Sequence, residues 1–135
     1  MARQNLRADT PLVELIEGSA EAIPLQNSSV DTVVTTWTLC SVPAVLDALH
    51  EMRRVLRPTG RLLFVEHGQA PDPNVRWWQD RLTPLWKRMG GGCHLNRAIC
   101  DLIEEAGFQF DHIETGYMRR PRVLTFMYQG SASRR

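Results

Sequence analysis

One apolar run of this chain ends in two ionisable side chains, Arg61-Leu62-Leu63-Phe64-Val65-Glu66-His67. An imidazole titrates near working pH, so His67 at such a terminus can act as a general base; a helix-capping or structural histidine is the plainer role. Cys93 and His94 are adjacent, and adjacent side chains rarely face each other, so they do not read as a nucleophile and its base. They also lack a second pair at ligand spacing, and no metal site is expected. Cys40, Cys93 and Cys100 are too few and too irregular for a zinc site or a disulfide framework, and Cys40 reads as a small buried hydrophobe. Gly90-Gly91-Gly92 follows a helical segment instead of a strand, so it reads as a chain stop. Trp77, Trp78 and Trp86 can form a lid over an apolar acceptor, attach the segment to an interface or membrane surface, or pack in the core. Arg119, Arg120 and Arg122 can attract an anion or a nucleic-acid backbone, a solvated turn being the plainer role.

These groups need elements to position them. Leu12-Val13-Glu14-Leu15-Ile16 is a short apolar run that predicts a strand, and the β-branched residues 30–36 predict a buried one. Pro43 can open a helix whose Val45, Leu49, Met52 and Leu56 share a face with Leu46 and Val55. Pro58-Thr59-Gly60 ends it, and residues 61–66 form the next strand. The tryptophans, with Leu82 and Leu85, suggest a short amphipathic helix. Asn96 can cap a helix burying Ile99, Leu102, Ile103 and Ala106, with Gly107 at its end. Two strands around residues 110–115 and 123–128 follow, then a small polar tail at 131–135. Strands alternating with helices predict an α/β fold with a mostly parallel sheet, and the last pair an antiparallel hairpin at one edge. Thr36, Trp37 and Thr38 then leave a strand at its carboxyl end, the edge where open α/β sheets bind ligands; Glu66 and His67 end the next strand on that edge. Trp37 lines a pocket there or packs in the core.

At 135 residues the chain is one domain's worth of protein. Its 16 basic and 15 acidic side chains leave a net charge of +1, which gives no general pull toward nucleic acid. No apolar run approaches the length of a bilayer span, and the polar start does not resemble a signal peptide. A soluble, cytoplasmic protein is expected, with peripheral membrane attachment left open.

Three segments in order resemble the class I S-adenosylmethionine (SAM)-dependent methyltransferases. Gly18-Ser19-Ala20-Glu21-Ala22-Ile23-Pro24-Leu25 resembles the family's adenine-side loop, with Ser19 replacing the usual aspartate. The stretch from Ser28 to Leu39 resembles the strand reaching the cofactor's methionine end. Residues 49–62, Leu-His-Glu-Met-Arg-Arg-Val-Leu-Arg-Pro-Thr-Gly-Arg-Leu, resemble the Glu-x-x-Arg-Val-Leu-(Lys/Arg)-Pro-Gly-Gly stretch. Downstream, Leu39-Cys40-Ser41-Val42, Phe64-Val65-Glu66-His67, the segment from Trp78 to Trp86, and Gly92-Cys93-His94-Leu95-Asn96-Arg97 are similar to methyltransferase type 11 proteins, in particular the methyltransferase-like thiol methyltransferases. The resemblance implies a Rossmann-like fold and methyl transfer from SAM to a small, apolar or thiol-bearing acceptor, with proximity and alignment carrying most of the rate. It implies cofactor contacts at Gly18, Ser19, Ala20, Glu21, Thr36, Trp37 and Thr38. It puts Leu39, Trp77, Trp78, Trp86 and His94 on the substrate side, with residues 68–95 as a lid or substrate-side insertion in a single domain, and His67 as the candidate base.

The family's glycine-rich turn and the acidic residue for the ribose have no counterpart in the sequence. The resemblance is therefore to an N-terminally truncated, C-terminal portion. Met1-Ala2-Arg3-Gln4 resembles the interior of the helix after the family's second strand, so Met1 is expected to be an internal methionine, or the chain a naturally short relative. A non-catalytic fragment serving as an interaction or dimerisation module is the alternative. In the family's strand order, 3-2-1-4-5-7-6, two absent strands separate residues 12–16 from 30–36, leaving a β-branched edge open to pairing. A homodimer through that edge is the expected outcome, and a monodisperse monomer by light scattering at micromolar concentration overturns it.

Overall fold

The β-branched run becomes strand β1 (Val30–Thr36), and helix α1 (Val45–Val55) returns the chain to strand β2 (Leu56–His67). A computed structural model describes residues 12–118 and 121–135, so the readings made for residues 1–4 and for Arg119 and Arg120 lie outside the described residues. Helix α2 (Pro73–Met89), helix α3 (Ile99–Glu105), strand β3 (Phe108–Tyr117), a 3-10 turn (Arg122–Leu124) and strand β4 (Phe126–Arg134) follow. The four strands form one sheet in the order β1-β2-β4-β3. β1 and β2 are parallel, joined through α1, while β4 runs antiparallel to both β2 and β3. The expected crossover and the expected terminal hairpin are both present. The hairpin's second strand is inserted between β2 and β3, which leaves β3 at the edge.

Helices cover one face of the sheet. α1 buries Val45, Ala48, Leu49, Met52 and Val55 at helical spacing, and α3 buries Ile99 and Ile103. They pack on Leu62 and Phe64 of β2, Phe108 of β3 and Ala132 of β4. Each fully buried aliphatic or aromatic side chain there contributes roughly 2 kcal/mol by leaving water. On the opposite face Val34, Leu63 and Val65 are exposed, Val34 lying across from Leu63 in the ladder. Gly107 ends α3 at a φ of +87°, and Gly91 and Gly92 follow α2 at +63° and +92°, conformations in which glycine is unstrained.

Several local expectations are corrected. Residues 12–18 form no strand; Leu12, Val13, Leu15 and Ile16 are exposed. An extended segment stays a strand only with a neighbour to take its hydrogen bonds, and β1 pairs with β2 alone among the described strands. Pro58-Thr59-Gly60 does not separate α1 from the next strand. β2 starts at Leu56, and Pro58 falls in the stretch where the register slips between the Val30–Leu56 and Thr32–Arg61 pairs, so its missing N–H costs no ladder bond there. Residues 131–134 are not a tail but the end of β4, and Ala132 is fully buried. Small side chains have weak strand propensity, and two flanking ladders override it. Asn96 caps no helix. Its amide donates to Asp80 instead, and α3 has no side-chain cap.

α2 is longer than the short helix expected, 17 residues, and it turns an unexpected face inward. Asp72 caps it by accepting from the Asn74 N–H at 3.0 Å, with Pro73 at the first position. Val75, Gln79 and Thr83 are buried, while Trp77, Trp78 and Leu85 are about half exposed. The Gln79 amide has no exposed surface and replaces three lost hydrations: it donates to Gly68 O and Val123 O and accepts from Ala70 N. A satisfied polar anchor, more than the tryptophan stripe, docks this helix. No helix among the described residues is long and apolar enough to cross a membrane.

Gly130 tests the inserted strand. A Cβ there would lie 2.2 Å from His112 O on the neighbouring strand, closer than any real contact. Gly130→Ala is expected to lower unfolding stability by about 2 kcal/mol or more, read from the denaturant midpoint. An unchanged midpoint would mean that β4 does not lie against β3.

Candidate functional site

The Glu-x-x-Arg spacing on α1 has a structural purpose. Glu51 and Arg54 sit one turn apart and form a two-pronged ion pair, Arg54 Nε to Glu51 Oε1 at 2.7 Å and Nη2 to Oε2 at 2.8 Å. The pair grips the preceding loop: Arg54 donates to Ile23 O, Leu25 O and Asn27 Oδ1, and Glu51 accepts from Ile23 N. Its partner's guanidinium holds the Glu51 carboxyl below the usual range. This loop carries Gly18, Ser19, Ala20 and Glu21. Gly18 has no room for a side chain, since a Cβ would meet Pro24 Cδ at 2.8 Å. The Ser19 hydroxyl accepts from the Glu21 N–H, and Glu21 accepts in turn from Ala44 N at 2.9 Å. Glu21 is therefore a remote cap on α1, and its charge is favourable beside that helix N-terminus.

A second cluster forms where β1 and β2 end side by side. Trp37 N donates to Val65 O at 3.0 Å, and Trp37 adopts a φ of +48°, a strained left-handed conformation for a bulky residue. Thr36 and Trp37 are exposed, whereas Leu39 is buried in the main core. Glu66 has no exposed surface; its carboxylate accepts from Thr38 N at 3.2 Å and Cys40 N at 3.4 Å, fixing the loop that leaves β1. Burial raises the Glu66 pKa, against the pull of those N–H groups. Arg97 closes the same loop from outside, donating to Leu39 O and Val42 O.

His67 follows Glu66 and is 7% exposed. Its Nδ1 lies 3.6 Å from Cys93 Sγ, while its buried Nε2 has no hydrogen-bond partner among the described residues. Burial holds the imidazole below its ordinary value of 6.5, and the Leu124 backbone, short of a full hydrogen bond, pulls the other way. The ring lies at the wall of a cavity of about 310 Å³ lined by Trp37, His67, Trp86, Met118, Leu124, Thr125 and Met127. A neutral base in a largely apolar pocket is the chemistry this offers.

The structure thus brings Trp37, His67 and Trp86 together. Trp77 and Trp78 do not line the cavity; they contact each other edge-on, with Arg81 over Trp77. His94 sits behind the loop, its N–H donating to Cys40 O at 2.7 Å. Sequence reasoning missed Cys93 as the partner of His67, Arg97 as a clamp, and the cavity walls from Met118 to Met127. The run Phe64-Val65-Glu66-His67 did carry the signal for Glu66, a lone acid on the inward side of a buried strand. Among the described residues no cluster is able to hold a metal ion.

Comparison with known proteins places this geometry. Residues 1–64 match the family model described as "Methyltransferase domain". The chain is 44% identical over 91 residues to thiol S-methyltransferase TMT1B of Rattus norvegicus, covering 67% of this chain and 37% of that protein. It is 39% identical over 109 residues to thiol S-methyltransferase TMT1B of Homo sapiens, covering 78% and 42%. The chain therefore spans about two fifths of the length of these relatives. Its fold superposes on a SAM-dependent methyltransferase from Methanosarcina mazei with a TM-score of 0.67 at 19% identity, over 87% of this chain and 65% of that one. By sequence the chain is similar to methyltransferases, and its fold is the one found in SAM-dependent methyltransferase structures.

Glu66 supplies a stability test. Its pKa is raised on folding, so the folded state holds the proton more tightly, and the stability this gives is present in acid and lost as pH rises through the folded value. Glu66→Gln is expected to lose less thermal stability than the wild type between about pH 5 and pH 8. Parallel losses in both proteins would contradict the buried, proton-holding environment.

Proposed function

We propose that this chain carries the acceptor-binding part of a SAM-dependent methyltransferase, that its acceptor is a small apolar thiol, and that His67 receives the thiol proton. The observation that supports this most is the His67 Nε2, buried and without a partner among the described residues, at the wall of an apolar cavity. The thiol methyltransferase relatives point to the same acceptor class.

The residues present fit one side of an S-adenosyl group. Thr36 and Trp37 offer main-chain groups and an aromatic wall at the carboxyl end of β1, and the Ser19–Glu21 turn, fixed to α1, offers main-chain groups beside a hydroxyl. When bound, SAM supplies an electrophilic methyl group. The chain's own work is then to exclude water and aim the sulfur. Trp37, Trp86 and the two methionines surround the acceptor's apolar body, and Met side chains adapt to varied shapes. A thiol is a poor nucleophile until it loses its proton; an imidazole kept neutral by burial takes that proton at Nε2 as the sulfur attacks. The Cys93 contact at Nδ1 fixes the ring's orientation. Alignment of sulfur and methyl supplies the larger part of the rate.

Self-association belongs to this reading. β1 has a free edge among the described strands, and Val34, Leu63 and Val65 leave the adjoining face apolar and uncovered, which supports pairing with a second copy.

Calorimetric titration with S-adenosylhomocysteine comes first, with saturable micromolar binding expected; no detectable binding would leave the chain an incomplete enzyme. In an assay with a small apolar thiol, His67→Gln is expected to lower the rate by about 100-fold or more. The wild-type rate should rise with pH as His67 loses its proton, the midpoint of that limb lying below 6.5, and the variant should lack the limb. An unchanged rate and profile in His67→Gln would remove His67 from the reaction.

A further inference from the structure

We infer that Cys40 and Cys93 form a dithiol that a hydroperoxide closes into an intramolecular disulfide, making a covalent modification site beside His67. The backbone sets the approach: Cys40 O accepts from His94 N at 2.7 Å, which brings the adjoining Cys93 alongside Cys40, and a disulfide needs Cα atoms about 4.4–6.8 Å apart. The Cys93 thiol is close enough to act on the Cys40 thiol, and the Ser41 hydroxyl lies 3.5 Å from Cys40 Sγ. The His67 Nδ1 stands 3.6 Å from Cys93 Sγ. Both cysteines are free thiols in this state.

Charge divides the two sulfurs into distinct roles. The Cys93 hydrogen bond brings the Cys40 thiol down to about 7, despite burial and the nearby Glu66. Cys93 is pushed the other way, because a second thiolate would sit against the first in a buried place. Near neutral pH the pair shares one proton, held on Cys93 and directed at Cys40. Arg97, close enough to feel both sulfurs, favours that single negative charge. Cys100 on α3 has no such setting, and burial takes it up to about 11.

The chemistry closes in two steps. The Cys40 thiolate attacks one peroxide oxygen and the O–O bond breaks, giving a sulfenic acid and hydroxide, which takes a proton to become water. The Cys93 sulfur then attacks the Cys40 sulfur, the S–O bond breaks, and the Cys93 proton leaves with the departing oxygen as water. Two thiols are oxidised and one hydroperoxide is reduced. Because Cys40 is 2% exposed, a small reagent such as hydrogen peroxide fits this site better than a bulky disulfide. Closure ties the loop after β1 to the segment after α2, and takes from His67 the thiol that orients it.

The test uses the whole chain and does not depend on methyl transfer. The reduced protein is treated with hydrogen peroxide near neutral pH, remaining thiols are alkylated, and the digest is mapped by mass spectrometry. A Cys40–Cys93 linked peptide, reversed by dithiothreitol, with Cys100 alkylated, is expected. In Cys93→Ser, Cys40 should accumulate as a sulfenic acid captured by dimedone. Links between chains, links to Cys100, or irreversible oxidation of unlinked Cys93 would each overturn the inference. So would failure of Cys40 to take dimedone in a Cys93→Ser protein whose circular dichroism matches the wild type. The wild-type map decides the question if that variant does not fold.

Discussion

Where β1 and β2 end together, a carboxylate without exposed surface takes the N–H groups of Thr38 and Cys40. The chain leaves β1 at that point with no helix to satisfy its backbone, and Glu66 satisfies it from the neighbouring strand. Hydrogen bonds to a charged acceptor contribute roughly 1.5–3 kcal/mol each, and an unpaired carboxylate there would cost more than that. Every feature of the site follows from this joint. It fixes Trp37 at the rim, holds Cys40 beside the segment of Cys93 and His94, and leaves His67, the next residue of β2, at the cavity wall. A buried acid in this place organises the sheet edge that carries the cavity.

Arginine side chains hold the remaining loops. Arg54 gathers two carbonyls and an asparagine from the loop before β1, Arg97 gathers the carbonyls after it, and Arg134 reaches Leu56 O from the end of β4. A planar guanidinium with five donors can satisfy several carbonyls at once, which a lysine ammonium does less well. That gives a physical sense to a chain in which Lys87 is the lone lysine. It also explains why a loop as irregular as residues 18–27 keeps a defined path beside α1.

The two sides of the molecule are unequal. One sheet face packs on α1 and α3, and the other shows Val34, Leu63 and Val65 to solvent. α2 likewise turns Gln79 inward and its tryptophans outward. Both arrangements suit a unit that presents apolar surface for contact while keeping its own core closed. The cavity lies between these regimes, with Trp37 61% exposed at its rim and His67 buried at its wall.

Much of this was legible in one dimension. Periodicity placed α1 and α3, β-branched and apolar runs placed β1 and most of β2, and Gly90–Gly92 and Gly107 marked helix ends. The spacing of the three motifs pointed to the methyltransferase relatives, and the order of strands put Trp37 and His67 on one edge. Residues 12–16 looked like a strand because composition records apolarity and not the presence of a neighbour. Residues 131–134 looked like a tail because their β-structure comes from two flanking ladders and not from their own side chains. The tryptophans of α2 followed the same logic: a stripe fixes which residues share a face, and the docking of Gln79 decides which face is inward. Cys40 is far along the chain from Cys93 and Arg97, which lie in a different motif. Only the closure of β1, β2 and the segment after α2 around Glu66 brings them together, because long-range contact depends on tertiary geometry and local sequence carries only local preference.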